Sequence, residues 1–287
     1  MVRSFAQLPG FDVTARIGKG AGAVIYEARR RGSREPVAIK HVVRHGPGDD
    51  RFIDQAETEY LVGQKVDSPA LRRIHDIVRV RRWLKVAELF LIMELVDGRR
   101  LEDDRPDDLE QVVRVFIAVA EGLSAMHRAG FVHADIKPNN ILLMRGGGLK
   151  IIDFGQSCPI GHTKNRIQGT PDFMAPEQAL RQPIDQRTDV FNFGATMYWT
   201  TTGKWFKTVM NTGETGTKKI EIDARSDNAP PHEVNTKIPM TLSQLIVDCC
   251  EHNKSDRPRE MKEVLNRLEM IYHLIRKRQG APPASAS

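Results

Sequence analysis

Apolar and polar positions divide the chain into two parts of different character. From Phe11 to about Val96 they form short β-rich runs: "DVTARIG", "AVIYEARR", "PVAIKHVV", "IHDIVRVRR" and "LFLIMELV", each bounded by Gly, Pro or charged turns. One helical pattern, Asp50 to Val66, falls between the third and fourth runs and stops before Ser68–Pro69, where a proline makes continuation costly. Beyond Asp97 the period changes. In "DLEQVVRVFIAVAEGLSAMHRAG" the apolar residues Val112, Val115, Phe116, Val119, Leu123 and Met126 recur at helical spacing, with Asp108 as N-cap and Gly130 as stop. Two strand-like runs follow, "ILLM" and "LKIID", separated by "RGGG". Further helices are predicted over Asp189–Thr202, Thr241–His252 and Arg259–Lys277, and "GAPPASAS" reads as a flexible tail. No internal repeat is visible. The pattern predicts an α+β protein of two lobes: residues 11–96, β-rich with one main helix, and residues 97–276, larger and α-helical, before a tail at 277–287. A cleft between two lobes is an expected ligand site.

Composition narrows the class. The 287 residues are 40% hydrophobic and 28% charged, ordinary globular values that argue against wholesale disorder. The net charge of +6 suits a protein that holds an anionic nucleotide as well as one that binds nucleic acid. The basic clusters "ARRRGSR" and "RVRRWLK" lie between apolar runs and read as solvated loops or strand edges. Three cysteines, Cys158, Cys249 and Cys250, two of them adjacent, make neither a disulfide framework nor a zinc site and suggest a reducing compartment. "MVRSFAQLPG" lacks the apolar core of a signal peptide, and "LFLIM" is too short to span a bilayer, so the expected location is cytoplasmic.

Four motifs carry candidate chemistry. In "IGKGAGAVIYEA", Gly18, Gly20 and Gly22 let the backbone approach a phosphate closely. A strand follows this loop, which argues against a dinucleotide fingerprint, where a helix would follow. Lys40 closes the run "VAIK"; held by a carboxylate, such a lysine can present its charge to phosphates. In "HADIKPNN", Asp135 can accept or orient a hydroxyl proton and Lys137 can neutralise a travelling phosphoryl group; Asn140, with Asp153 of "IIDFG", offers hard oxygens to Mg²⁺. Each motif alone is also an ordinary turn. Their order and spacing together are not ordinary.

In that order the motifs resemble the eukaryotic-like (Hanks-type) serine/threonine protein kinase family, in particular its bacterial members, over roughly Phe11 to Arg276. The resemblance implies the two-lobed protein kinase fold and transfer of the γ-phosphate of ATP to Ser or Thr hydroxyls of protein substrates. It implies ATP and Mg²⁺, with Mn²⁺ as a substitute. "IGKGAGA" is similar to the Gly-rich loop, so Ile17, Gly18, Lys19, Gly20, Ala21, Gly22 and Ala23 are expected at the nucleotide, Ala23 standing where the family has its third glycine. Lys40 is expected to anchor phosphates against Glu59 of the helix, with Glu57 as runner-up. Two residues apart, these glutamates point about 200° away from each other, so only one can face Lys40. "LIMELVDG" resembles the hinge, with Met93 behind the adenine and the Glu94 and Val96 backbone on its edge; Ile25, Ala38 and Leu142 match the positions that sandwich the ring. The position that often holds a ribose-binding acid is Arg100. The resemblance makes Asp135 the base, Lys137 the γ-phosphate contact, and Asn140 and Asp153 the metal ligands. "GTPDFMAPE" is similar to the end of an activation segment, where Thr170 bonds the catalytic Asp and Lys. Glu177 is expected to pair with Arg257, and Asp189 to hold the catalytic loop from below.

One departure bears on control. Ala134 stands where related kinases carry an Arg that phosphate on the activation segment must neutralise. The expectation is a kinase that does not depend on activation-segment phosphorylation, although Ser157 and Thr163 are available there. Cys158 reads as incidental, His133 as a packed structural residue, and Trp199 and Trp205 as helix packing. Thr212 to Pro239 is long for a connection and is either a docking region or an insert. The rival readings are a pseudokinase or nucleotide-binding scaffold, resting on Ala23, Arg100 and Ala134, and a small-molecule kinase, against which "GTPDFMAPE" speaks. Nucleic-acid binding is a weaker idea.

Overall fold

A computed structural model describes residues 8–20, 22–208, 210–212, 218–220, 228–278 and 280. The chain divides into two compact units, Met1–Asp97 with Asp153–Gly155, and Gly98–Ile152 with Gln156–Ser287.

The first unit is a five-stranded antiparallel sheet, β1 (Phe11–Lys19), β2 (Ala23–Arg30), β3 (Pro36–Val43), β4 (Ile74–Arg82) and β5 (Lys85–Glu94), in the order β1-β2-β3-β5-β4, with one helix, α1 (Asp50–Lys65). Strands β2, β3 and β4 coincide with the runs read from the sequence. Strand β5 begins four residues before its apolar run, because its first residues extend the β4–β5 ribbon with β4 as partner. Leu8, Ala28, Val37, Ile39, Phe90 and Ile92 form a core cluster, with Phe11, Val13 and Val78 packed against it. Helix α1 buries Ile53, Ala56, Glu59 and Val62 and packs against β3, β4 and β5. A glutamate on that stripe is the exception that positions the site.

The second unit carries a three-stranded sheet of β6 (Gly98–Arg100), β8 (Ile141–Met144) and β9 (Leu149–Ile151), and a short pair of β7 (Phe131–Val132) and β10 (Cys158–Pro159). Its helices are α2 (Leu109–Arg128), α3 (Pro176–Ala179), α4 (Gln186–Thr202), α5 (Pro231–Val234), α6 (Met240–Cys249) and α7 (Met261–Arg278). Strands β11 (Met210–Thr212) and β12 (Lys218–Ile220) complete it. Asp108 caps α2 by accepting from the Gln111 amide at 3.0 Å, worth about 1 kcal/mol. Gly130, at φ 84°, follows the helix end. Helix α4 starts three residues earlier than its pattern predicts, because Asp185 caps it by accepting from the Arg187 amide. It is buried nearly all round, with Phe193 edge-on to Phe116 of α2 at 5.1 Å. Helix α6 ends at Cys249, short of the expected His252, and α7 runs one residue past Lys277, so the expected tail boundary falls inside the helix. Residues 279 and 281–287 of that tail, and residues 213–217 and 221–227 of the Thr212–Pro239 segment, lie outside the described residues. Among the described residues no helix is long and apolar enough to cross a membrane.

Candidate active site

In the first unit, β3 sets Lys40 opposite Ile25 of β2 and Leu91 of β5. Its Nζ lies 2.7 Å from Glu59 Oε2 and 3.1 Å from Asp153 Oδ1. Glu57, two residues before Glu59, is exposed and pairs with Arg79 at 2.8 Å instead. Burial works to lower the Lys40 pKa, but the Asp153 and Glu59 charges outweigh it and hold the amine well above its ordinary range. Glu59, fully buried, has a second cation: Arg72 Nη2 at 3.3 Å from Oε1. Asp153 adopts a positive φ of 66°, and its side chain is 43% exposed.

The glycine loop is the β1–β2 hairpin, where Gly18 pairs with Ile25 and Lys19 with Val24, closed by the Gly20 amide on the Ala23 carbonyl at 2.8 Å. At Gly22 a Cβ would lie 2.2 Å from the Phe52 ring of α1, so only glycine fits beneath that ring. Ala23 is half-buried and pairs with Val42; Ile17 is 49% exposed. Ala21 lies outside the described residues. Ala38 and Met93 are buried side by side across β3 and β5, Ile25 is half-buried, and Glu94 and Val96 follow at the end of β5. The Glu94 amide is used by the Arg73 carbonyl at 2.9 Å.

In the second unit, Leu142 of β8 pairs with Arg100 of β6 and Lys150 of β9. Arg100 turns to Asp103, Nε to Oδ2 at 2.7 Å. The loop between β7 and β8 places Asp135, 7% exposed, in a closed triangle. Lys137 Nζ donates to Asp135 Oδ2 at 2.9 Å and to Thr170 Oγ1 at 2.6 Å, while the Thr170 hydroxyl and amide donate to Asp135 Oδ1 at 2.9 and 3.0 Å. Asn140 commits its amide nitrogen to the Asp135 carbonyl at 2.9 Å, which leaves its amide oxygen as the acceptor of that side chain. That oxygen is an acceptor of the kind a hard cation takes, as is the carboxylate of Asp153.

The loop is braced from beneath. Asp189, fully buried on α4, accepts from the His133 amide at 2.9 Å, the Ala134 amide at 2.8 Å and His127 Nε2 at 2.8 Å. Burial would raise the Asp189 pKa; the His127 hydrogen bond and charge, His133 and the Ala134 amide together hold it below the usual carboxylate range. Ala134 sits at φ 61°, and Gln178 Nε2 donates to its carbonyl at 2.8 Å. Its methyl packs with Val132, Cys158 and Ile184. The segment after Asp153 is tied down by the β7–β10 pairing, by the Gly161 amide on the Ile184 carbonyl at 2.7 Å, and by Lys164 Nζ on the Gln156 carbonyl. Ser157 is buried there and Thr163 exposed. Burial pushes the Cys158 thiol up to about 11. Farther on, Glu177 and Arg257 form a buried two-point pair at 2.8 and 3.0 Å. Trp199 stacks on Trp205, centroids 5.5 Å apart.

Arg72, Gln178 and Phe52 escape the sequence reading. Arg72 stands in "LRRI" beside a second Arg and looks like surface charge. Gln178 lies in a helix of four residues, too short for periodicity. Phe52 follows an Arg on α1, and nothing local ties it to Gly22.

Comparison with known proteins is consistent with this geometry. The family model described as "Protein kinase domain" matches residues 11–268. A Clostridium acetobutylicum protein named "Probable serine/threonine-protein kinase" is 26% identical over 269 residues, covering 91% of this chain and 40% of its own length. A Mycobacterium tuberculosis serine/threonine-protein kinase is 29% identical over 253 residues, covering 85% of this chain and 61% of its own. One from Myxococcus xanthus is 27% identical, covering 96% and 52%. The chain thus spans about half the length of the curated relatives it matches.

Proposed function

The chain belongs to the protein kinase family, and from that membership we propose that it transfers the γ-phosphate of ATP to Ser and Thr hydroxyls of protein substrates. The observation that carries the reading is the Asp135–Lys137–Thr170 triangle. Asp135 is buried, paired with the Lys137 ammonium through one oxygen, and held through the other by a threonine of the segment that precedes "MAPE". In this reading Asp135 accepts and orients the acceptor hydroxyl's proton, and Lys137 offsets charge on the moving phosphoryl group. Lys40, kept charged by Glu59 and Asp153, holds the earlier phosphates, and the backbone of Gly18, Gly20 and Gly22 lies over them. Asp153 and Asn140 would hold Mg²⁺, which neutralises phosphate charge when bound. The Met93–Glu94–Val96 stretch would receive the adenine edge, with Ile25, Ala38 and Leu142 about its ring. Most of the rate enhancement comes from positioning and charge.

The same reading makes activity independent of phosphate on the activation segment. Ala134 brings no cation that needs neutralising, and its methyl joins the apolar cluster that seats Cys158 and Ile184. Three unpaired cysteines and a need for ATP fit a cytoplasmic enzyme.

The test is direct. Purified protein with labelled ATP, Mg²⁺ and a generic basic protein should place phosphate on Ser or Thr, and Asp153→Asn should not. Equal transfer by both overturns the assignment.

A further inference from the structure

The β4–β5 hairpin ends in a two-residue turn, Trp83–Leu84, between the paired residues Arg82 and Lys85. Turns of this length favour Asn-Gly, or Gly at the first position, because that position needs a positive φ. Here Trp83 adopts φ 58°. Its side chain is 99% exposed and that of Leu84 96% exposed, and neither contacts any described residue closely enough to bury it. The largest apolar side chain available thus occupies a strained backbone position in full contact with water.

The flanks are equally unhelpful to folding. Arg82 and Lys85 are directly opposite each other, a like-charge pair that destabilises a hairpin. Arg81 adds a third cation, and all three are exposed. Arg82 has one distant acid, Glu88 at 3.7 Å, and remains 76% exposed. The apolar tip is left uncovered, and the charge of the collar is met only by Glu88 at Arg82 and by Asp50 at Lys85.

We propose that this hairpin tip docks on an anionic lipid surface. A convex tip of two side chains can be buried on all sides only by a medium that closes around it, and a bilayer interface is such a medium. Trp is the side chain that favours the headgroup level, with an apolar body and a polar N–H. The collar of Arg81, Arg82 and Lys85 complements anionic headgroups at the depth where the strands emerge. Among the described residues no helix is long and apolar enough to cross a membrane.

The experiment uses the full chain and vesicles of phosphatidylglycerol with phosphatidylcholine, or phosphatidylcholine alone. The comparison variant is Trp83→Gly/Leu84→Asn, which installs a favoured hairpin turn and should melt at or above the wild-type temperature. Wild type should sediment with anionic vesicles only, with Trp emission shifted to the blue. The variant should bind about tenfold or more weakly, and salt near 1 M, where charges are screened within about 3 Å, should release the wild type. Equal binding by the folded variant would trace adhesion to the overall charge and overturn the proposal. So would failure of wild type to bind anionic vesicles. A concentration-dependent dimer, or capture by polyglutamate in preference to vesicles, lost in the same variant, would replace the membrane by a second copy or an acidic protein.

Discussion

Arg72 and Lys40 share one carboxylate: Glu59 gives Oε2 to the lysine at 2.7 Å and Oε1 to the arginine at 3.3 Å, with no exposure to solvent. The ion pair at the site is therefore the middle of a row of alternating charges, Asp153, Lys40, Glu59 and Arg72. Glu59→Gln should lower kcat/KM about ten- to a hundredfold, since a charge-assisted hydrogen bond contributes about 1.5–3 kcal/mol. Glu57→Gln removes only an exposed pair with Arg79 and should stay within about twofold. Steady-state kinetics on the two variants separates them. Equal effects would mean that Glu59 has no special bearing on Lys40.

Thr163→Ala should leave kcat within about twofold, as for an ordinary exposed substitution. The segment around it is seated by backbone pairing to β7, by Lys164 on the Gln156 carbonyl, and by the apolar cluster that includes Ala134. None of these needs phosphate. A large fall in kcat would sink the idea of phosphorylation-independent assembly.

Arg257 is anchored by more than its carboxylate. Besides Glu177 it donates to the backbone carbonyls of Glu251 at 2.6 Å, Arg187 at 3.0 Å and His252 at 3.0 Å. Arg257→Ala leaves Glu177 buried beside the Thr188 hydroxyl alone, and should cost about 3–5 kcal/mol in urea unfolding. Arg257→Lys should recover little of this, because an ammonium cannot reproduce the planar fork. A lysine variant as stable as wild type would refute the geometric part of the claim.

Acid should act through Asp189. Its carboxyl is held below its ordinary range in the fold, so its contribution is present above the unfolded value and lost as pH falls through the folded one. The stability difference between wild type and Asp189→Asn should be constant above about pH 5 and shrink below about pH 4. Unfolding by urea across that range measures it; a difference that stays flat contradicts the assignment.

What the sequence discloses depends on the range of the interaction. Strands β2, β3 and β4 could be read to the residue, since alternation and bounding Gly or Pro are local signals. Lys40, Asp135, Lys137 and Asn140 stand out in the sequence through their motifs, and Thr170 through the resemblance; which side chains meet, Lys40 with Glu59 and Asp135 with Lys137 and Thr170, appears only in the structure. Helix α4 was harder to delimit: it is apolar and polar without a stripe, because it is buried nearly all round, and only its Asp185 cap marks the start. Strands β7 and β10 are two residues each and exist through a pairing across 26 positions, Val132 with Cys158. Arg72 differs from its neighbour Arg73 in burial alone, a property of the packed chain.

Phe52 and Glu59 lie two turns apart on one stripe of α1, since seven residues return a helix almost to the same bearing. Phe52 rests on Gly22 with no room for a Cβ, and Glu59 grips Lys40. The glycine loop and the ion pair are consequently read out by a single rigid lever. A roll of α1 that withdrew the carboxylate from the lysine would lift the ring off the loop in the same stroke, so the two share one mechanical coordinate.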